Sequence, residues 1–505
     1  MKRLAFAIVA IALSAIALSA QQSLSLETAY KVKQEAFKFS QMDEFAQWTT
    51  DYLGSRLVGS KQCARAELLM KEKMEEMGLK NARIEFASKF SKGGWDNIKT
   101  YAAMTSPYYC HFMCNPKAWS GSTDGLVKGE VVLIKAEKEE DLEQYKGKLK
   151  GKIVLVPPTR SYDLKFEPLA KRYTEEELAA LESDPRSTAP AKYSYGSYAP
   201  NISRAILKMV AAEDPAVILT DGGEFNVPTS TSVAYKQGDP EPPAQIVLPV
   251  EDHGRMARLI SNGHSVTMEV EIKNEFSKCD EVHNVIAEIP GTDPDLKDQV
   301  VLLGAHFDSW HGGTGAADNA SGCIVMLEAM RIIKSLGISP RRTIRIALWG
   351  GEEQGLMGSG GYMRNVLMKN GKETPAFDNF ALYLNMDNGS GMFRGIYLEE
   401  NDMAFPFFEE WSKALEPLGF TILSPRRTSG TDHMIFQSKG LPAFQFIQDP
   451  LGYGRTYHTV MDTYERLSIP DLKHNAAVVA WIALNAAMDD GRIPFEPQMH
   501  TDKKK

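Results

Sequence analysis

Short apolar runs alternate with longer helical stretches in the second half of the chain. Residues 300–303 (Val-Val-Leu-Leu), 343–349 and 381–386 are runs of this kind, each suited to one buried strand. Apolar runs of about four to eight residues that alternate with helical stretches are typical of an α/β sheet. The pattern therefore predicts an α/β fold in which these three strands share one sheet.

Side chains that bind metals follow each of these runs. His306 and Asp308 come directly after the first run. Glu352 and Glu353 follow the second run after two glycines, and Asp387 ends the third. In α/β sheets, sites form outside the carboxyl ends of the strands. We therefore expect the three strand ends to bring these side chains to one place.

Two further residues of the same chemical types, Asp318 and His458, complete a set suited to a two-metal hydrolytic centre. Imidazole nitrogen and carboxylate oxygen hold zinc at about 2.0–2.2 Å. Two ions about 3.5–4 Å apart clamp a water that becomes a nucleophile near neutral pH. One carboxylate must stay off the metals to accept the proton of this water. Isolated histidines are usually structural and adjacent glutamates usually solvated, but the position of this set at strand ends favours metal binding.

Other catalytic machinery is missing from the sequence. It contains no H-E-x-x-H helix motif, no G-x-S-x-G elbow and no Walker-type G-x-x-x-x-G-K-[ST] loop. A metal-dependent hydrolase is therefore the predicted class of enzyme.

Six stretches of this chain resemble the M28 family of zinc peptidases. They are residues 304–309 (Gly-Ala-His-Phe-Asp-Ser), 315–322, 348–355, 385–387, 431–433 and 457–463. The resemblance implies the mixed-sheet α/β fold of zinc exopeptidases, also called phosphorylase/hydrolase-like. It also implies a site with two Zn²⁺ ions and peptides as substrates.

The resemblance assigns a role to each residue of the metal-binding set. Asp318 would bridge the two ions. His306 and Asp387 would complete one metal site, and Glu353 and His458 would complete the other.

The resemblance also assigns roles outside the metal ligands. Glu352 would be the general base. Asp308 would orient the ring of His306 through its other nitrogen, as ligating histidines usually require. Apart from the resemblance, the expected mechanism has the metals stabilise the oxyanion with help from a tyrosine such as Tyr453 or Tyr457. Asn319 stands after the bridging aspartate, where the family's peptide bond tends to be cis, and the sequence leaves its geometry open.

The first half of the chain predicts an inserted β-rich module. From about residue 125, short β runs replace the helical pattern, and this part resembles the protease-associated (PA) domain inserted into many M28 enzymes. The predicted divisions are a signal peptide at 1–20, an N-terminal part of the catalytic domain at 21–122, an inserted PA domain at 123–272, the metal-binding part of the catalytic domain at 273–495 and a flexible tail at 496–505.

The N-terminus predicts export to the periplasm or the cell exterior. Lys2 and Arg3 precede an apolar run from Leu4 to Leu18, and small residues suited to cleavage end at Ala20. This is the pattern of a secretory signal peptide. No later run reaches the roughly 20 apolar residues of a spanning helix, so stable membrane insertion is not expected.

The net charge excludes one class of binding partner, and the cysteine content excludes one class of fold. A net charge of −8 over 505 residues offers no basic footprint for nucleic acid. Five cysteines are too few and too scattered for a disulfide-built fold. Cys110 and Cys114 either form a small loop bridge or are two buried thiols. The sequence gives no indication of oligomeric state.

Aminopeptidase is the preferred activity, with three alternatives. A carboxypeptidase Q-like dipeptidase or carboxypeptidase would need a cation for the substrate carboxylate, for which Arg426, Arg427 and Arg455 are candidates. A single-zinc acyltransferase of the glutaminyl cyclase type shares the fold, but the large insertion argues against it. A non-catalytic receptor would have lost ligands that this chain retains. His311 and His433 are further candidates for the pocket, each with a packing role as the alternative.

Overall fold

The structure is a computed structural model that describes residues 24–157, 164, 166–183, 201–223 and 227–495. The predicted signal peptide and the predicted tail lie outside the described residues. Within the described residues, no helix has the length and apolar character needed to cross a membrane.

Helices flank the sheets throughout the described chain. The α-helices are α1 Leu26–Lys38, α2 Met42–Gln47, α3 Lys61–Glu76, α4 Glu175–Ser183, α5 Asn201–Ala212, α6 Val250–Ser261, α7 Ser321–Ser335, α8 Met357–Tyr362, α9 Pro375–Asp378, α10 Phe405–Ser412, α11 His433–Gln437, α12 Tyr453–Thr456 and α13 Ile469–Met488.

The strands fall into two large sheets and one short hairpin. They are β1 Lys80–Lys89, β2 Gly94–Ser106, β3 Cys110–His111, β4 Asn115–Pro116, β5 Val127–Leu133, β6 Ile153–Leu155, β7 Val217–Asp221, β8 Gln245–Leu248, β9 Thr267–Ser277, β10 Glu281–Ile289, β11 Val300–His306, β12 Thr343–Trp349, β13 Met368–Lys369, β14 Lys372–Glu373, β15 Phe380–Asn385, β16 Phe393–Tyr397, β17 Ile422–Ser424 and β18 Ala443–Gln448.

The first sheet has the order β1-β10-β12-β11-β15-β18-β16-β17. Its centre is parallel, because β11 pairs in parallel with both β12 and β15, and β15 pairs in parallel with β18. Antiparallel strands complete the sheet, since β10 runs antiparallel to β12 and β16 to β18. The predicted mixed α/β fold and the predicted union of the three strands are both confirmed.

The central strands are buried on both faces, which explains their continuous apolar sequences. All six residues of β15 are buried. One face packs against α7 and α13, with Leu303 and Leu384 in its core. The other face packs aromatic side chains, and there the Trp349 indole donates to the Tyr383 hydroxyl at 2.7 Å. A rigid double-sided core therefore supports the strand ends.

The second sheet has the order β3-β2-β9-β5-β6-β7-β8-β4. Its own apolar core includes Met104, Leu155, Leu219 and Met268. It begins with β2 at Gly94, so its strands extend beyond the 123–272 range predicted for the insertion. Between β1 and β10 the chain therefore leaves the first sheet, builds the second and returns.

The cysteine pair is not bridged. Cys110 and Cys114 are both free thiols. Burial raises the pKa of Cys114 to about 12, and Cys110 accepts a hydrogen bond from Arg255 at 2.9 Å. Of the two alternatives from the sequence, the structure has the pair of thiols.

Candidate metal centre

Four neighbouring parallel strands deliver the candidate ligands to one edge of the first sheet. His306 is the last residue of β11, Glu353 follows β12 after a short turn, and Asp387 lies two residues beyond β15. His458 lies in the loop that follows β18. Asp318 comes from the turn that precedes α7. The predicted convergence of the three strand ends is confirmed.

The five side chains form two groups of three that share Asp318. His306, Asp318 and Asp387 form one group, and Asp318, Glu353 and His458 form the other, with ligand atoms within 4.8 Å of one another in each. The His306 Nε2 lies 3.2 Å from Asp318 Oδ1 and 3.5 Å from Asp387 Oδ1. The His458 Nε2 lies 3.0 Å from Asp318 Oδ2 and 2.8 Å from Glu353 Oε2.

The electrostatics of this cluster favour bound cations. Burial lowers the pKa of His306, but the carboxylates of Asp387 and Asp318 outweigh burial and raise that pKa well above its ordinary value. In the same way, Glu353 and Asp318 outweigh burial and raise the pKa of His458 to about 11. Burial and the neighbouring Asp318 raise the pKa of Glu353 to about 7. Imidazole and carboxylate donors crowded in this way are the chemical set that zinc prefers.

Asp308 lies beside the ring of His306 and contacts it through its backbone carbonyl. The Nδ1 of His306 lies 3.0 Å from the backbone carbonyl of Asp308 and 3.7 Å from its carboxylate. The carboxylate instead accepts the backbone N–H of Glu352 at 2.9 Å and that of Glu353 at 3.3 Å. The carboxylate of Asp308 therefore holds the turn of the two glutamates, and its backbone carbonyl meets the histidine.

Two residues that sequence reasoning did not single out hold candidate ligands directly. The indole of Trp310 donates to Glu353 Oε2 at 2.7 Å. The carboxylate of Asp462 accepts the backbone N–H groups of Ala317 at 2.7 Å and Asp318 at 3.0 Å. Asp462 belongs to the last M28-like stretch, whereas nothing in the sequence around Trp310 indicated a partner 43 residues away.

Arg56 is a third residue that was missed. Its side chain is fully buried, and it donates to the backbone carbonyls of Phe307, Thr314 and Gly315. These carbonyls lie on either side of the loop that joins His306 to Asp318. Arg56 therefore ties the two ends of this loop together.

Asn319 has the geometry that the sequence left open. The peptide bond between Asp318 and Asn319 is cis. The Asn319 amide donates to Met386 O at 2.8 Å and accepts from Gly322 N at 3.0 Å. These bonds connect the turn that carries Asp318 to the end of β15.

A cavity of about 630 Å³ opens onto the two groups of candidate ligands. We call it the metal pocket. Its lining contains no Lys or Arg among the residues that the structure describes. The lining residues are Ser230, Trp310, Asp318, Glu352, Glu353, Asp387, Asn388, Ser429, Gly430, Thr431, Tyr453, Gly454, Tyr457 and His458.

Two histidine candidates lie outside this lining. His311 is buried beside Pro116 and Asn115, with its Nε2 2.6 Å from Pro116 O. His433 is buried with its Nε2 3.0 Å from Thr428 Oγ1. Both therefore have the packing role that was the alternative for each.

The three candidate arginines also lie outside the lining of the metal pocket. Arg426 donates to Ala180 O at 2.8 Å, and Arg427 is exposed. Arg455 lines a separate cavity of about 450 Å³, which also includes Tyr453.

Residues 284–483 match the model of the family described as Peptidase family M28. This part of the chain belongs to peptidase family M28. The match covers every candidate ligand and Glu352. The predicted class of enzyme is thereby confirmed.

Sequence relatives of this chain include both kinds of exopeptidase. Carboxypeptidase Q of Bos taurus is 27% identical over 446 residues, which cover 87% of this chain and 83% of the relative. An aminopeptidase of Pseudomonas aeruginosa is 37% identical over 119 residues, which cover 23% of this chain and 21% of the relative. The prediction of an M28 exopeptidase is confirmed, and the preferred activity and its first alternative are both represented.

Solved structures share the fold of this chain. The M28 peptidase precursor of Shewanella amazonensis superposes with a TM-score of 0.65 at 23% identity, covering 94% of this chain and 99% of that one. A zinc aminopeptidase of Bacillus subtilis superposes with a TM-score of 0.52 at 19% identity, covering 88% and 94%.

Proposed function

We propose that this M28 exopeptidase is an aminopeptidase, which cleaves the first peptide bond after a free N-terminus. The composition of the metal pocket carries this proposal. Its walls present four carboxylates and, in the described part of the chain, no lysine or arginine. Three of these carboxylates are assigned to zinc and the fourth to proton transfer, so the deciding feature is that the described lining has no lysine or arginine. A substrate carboxylate needs such a cationic partner to offset its desolvation.

We infer that the site holds two Zn²⁺ ions. His306, Asp318 and Asp387 would hold one, and Asp318, Glu353 and His458 the other, an inference that the two groups sharing Asp318 support. When bound, zinc supplies a water of lowered pKa and polarises the scissile carbonyl.

Glu352 acts as the general base in this proposal. Glu352 lines the metal pocket, the residue is 8% exposed, and its backbone N–H donates to the carboxylate of Asp308. Burial, together with Asp387 and Glu353, raises its pKa well above the ordinary value for a glutamate. Such a carboxylate accepts a proton from water readily and can pass it to the leaving amine.

Tyr453 serves as a donor to the oxyanion that develops on the substrate carbonyl. It lines the metal pocket, and burial raises the pKa of its phenol well above the ordinary value. The hydroxyl therefore stays protonated at neutral pH. A fixed donor at this position stabilises the charge of the transition state.

Trp310→Phe is expected to weaken zinc binding about tenfold. The substitution keeps an aromatic ring but removes the N–H that donates to Glu353, and the loss of such outer partners typically costs about 10–100-fold in metal affinity or activity. Titration with a competing chelator would measure the change. An unchanged zinc affinity would show that the indole does not orient Glu353.

One tripeptide in three forms tests the polarity of cleavage. An aminopeptidase is expected to cleave the free and C-amidated forms and to leave the N-acetylated form intact. The products would be identified by mass spectrometry with zinc-loaded protein. Cleavage of the acetylated form but not of the amidated form would overturn the proposal.

A carboxypeptidase Q-like activity is the second candidate. The observation that favours it is the similarity to carboxypeptidase Q over 87% of this chain, against 23% for the aminopeptidase of Pseudomonas aeruginosa. If both acetylation and amidation block cleavage, a dipeptidase that recognises both termini is the better account. The predicted leader at residues 1–20 supports an exported enzyme in either case.

A further inference from the structure

Residues 449–460, which we call the catalytic loop, carry three groups of the proposed site but have little regular structure of their own. Tyr453, Tyr457 and His458 line the metal pocket, and the four-residue helix α12 is the loop's only helix. His458 has a φ of +57°, in the left-handed region that non-glycine residues rarely adopt. Such a conformation persists where the surrounding structure holds it. The loop therefore depends on contacts from outside itself.

The second sheet holds the far end of the catalytic loop. The backbone N–H of Thr229 donates to His458 O at 2.7 Å, and the N–H of Val460 donates to Val227 O at 3.0 Å. Pro228 and Thr459 form the antiparallel bridge between these bonds. Residues 227–229 lie between β7 and β8, so this connection within the second sheet fixes the backbone at the carbonyl of His458, a proposed zinc ligand, and just after it.

A segment of the chain between β6 and β7 holds the near end of the catalytic loop. Arg172 places one guanidinium nitrogen 2.7 Å from Asp449 Oδ2 and another 2.8 Å from Asp471 Oδ2. The backbone N–H of Tyr173 donates to Asp449 Oδ1 at 3.1 Å, and that of Lys171 donates to Leu451 O at 3.2 Å. Residues 169–183, which we call the docking segment, thus bind the start of the loop.

The docking segment is firmly packed on the first sheet. Leu178 and Leu181 of α4 bury against Ile422 and Ile447. The hydroxyl of Ser424 donates to Leu181 O at 2.6 Å. Arg172 therefore connects the start of the catalytic loop to a segment that is itself packed against the first sheet.

Asp449 is the residue of the catalytic loop that Arg172 and the Tyr173 N–H of the docking segment contact. It is fully buried and follows β18 directly. Arg394 Nε also contacts it, at 3.1 Å. If Arg172 were lost, the buried carboxylate would keep Arg394 and the Tyr173 N–H, so the fold would survive while the loop lost its link to Asp471.

We propose that Arg172 is a positioning residue of this peptidase, which aligns Tyr453, Tyr457 and His458 by anchoring the catalytic loop through Asp449. The proposal rests on the proposed function of the metal centre. It gives the chain between β6 and β7 a part in catalysis without contact with substrate. A displacement of about 1 Å at reacting groups can cost about a hundredfold in rate.

The test compares Arg172→Ala with Lys171→Ala. The Lys171 side chain pairs only with exposed Glu177 at 3.0 Å among the contacts described, so its removal is a matched control on the same segment. Arg172→Ala is expected to lower kcat about tenfold with KM within about threefold, because the loss falls on groups that act in the transition state. Lys171→Ala is expected to match the unmutated protein, and Arg172→Lys to recover part of the loss.

Hydrogen–deuterium exchange gives a readout that does not depend on activity. Amides of residues 449–460 are expected to exchange several-fold faster in zinc-loaded Arg172→Ala than in the unmutated protein, with unchanged exchange in β11 and β15. Absence of peptidase activity in the unmutated protein would refute the proposed function and leave this comparison intact. Unchanged exchange and kcat in Arg172→Ala would overturn the positioning role.

A second variant covers the case in which Arg172→Ala fails to fold. Asp471→Asn leaves Asp449 and its partners in place but weakens the other half of the Arg172 bridge. It is expected to produce the same pattern of faster loop exchange to a smaller degree. Faster exchange across the whole first sheet, or none in the loop, would contradict the proposal.

Discussion

Glu352→Gln is expected to reduce kcat by about 10²–10⁴-fold while the protein keeps its full complement of zinc. The amide preserves the shape of the side chain but can no longer accept a proton from water. Glu352 belongs to neither group of candidate ligands, so its loss leaves both groups intact. Zinc content after dialysis and steady-state kinetics on a peptide substrate would measure the two effects separately.

The adjacent residue provides the matched control for this prediction. Glu353→Gln makes the same chemical change one residue later, but Glu353 belongs to the group that contains His458. This variant is expected to lose zinc from that group, and the activity should fall as a consequence. Equal loss of zinc in both variants would contradict the division of roles between the two glutamates.

Asp318→Asn is expected to release both zinc ions and to lower kcat/KM by about a thousandfold or more. Asp318 is the one residue common to both groups, with Oδ1 near His306 and Oδ2 near His458. A neutral amide offers one oxygen and no charge, so neither group keeps its set of ligands. The metals supply several kcal/mol of transition-state stabilisation. Each loss of about 1.4 kcal/mol lowers the rate tenfold, so losing both ions lowers it by several factors of ten.

The control for the bridging residue is Asp387→Asn, which changes a carboxylate in one group only. This variant is expected to release one ion and to retain the other. Melting temperatures of the zinc-free proteins should agree closely, because Asp462 still holds the backbone of residue 318. If Asp318→Asn releases only one ion, Asp318 does not serve both groups.

The meeting of the candidate ligands at one edge of the sheet was predictable, because it depends on the apolar runs in the sequence and on a general rule of sheet topology. The apolar runs predicted the strands, and the carboxyl ends of parallel strands share an edge. The assignment of Asp318 as the shared residue came from the resemblance to M28 enzymes. Nothing in the spacing between Asp318 and the strands would have identified it.

Contacts between distant segments were not predictable from the same pattern. Arg56 donates to carbonyls more than 250 residues away, and the carboxylate of Asp308 reaches the amides of the glutamate turn. A buried arginine and an exposed one have the same appearance in a sequence. The sequence placed Asp308 beside the other ring nitrogen of His306, but it gave no indication that the backbone carbonyl makes this contact while the carboxylate holds the glutamate turn.

The residue at which the second sheet begins was also difficult to predict from the sequence. Strand β2 has no regular alternation of polar and apolar residues, and it precedes the change of pattern near residue 125 by about thirty positions. Its partner β9 closes the predicted insertion 170 residues later in the chain. Pairing between two strands so far apart in the chain cannot be recognised from the sequence around either strand. The resemblance to a PA domain stays a prediction.

The anchoring of the catalytic loop has a consequence for how the protein reaches its active state. Arg172 and Asp449 are 277 residues apart in the chain, and Thr229 and His458 are almost as distant. Contacts between such distant residues carry the largest cost in chain entropy and are slow to form. During refolding, the two sheets should regain secondary structure before the pocket regains tight zinc binding. Catalytic competence is then the last property to appear, and the first to disappear on mild denaturation.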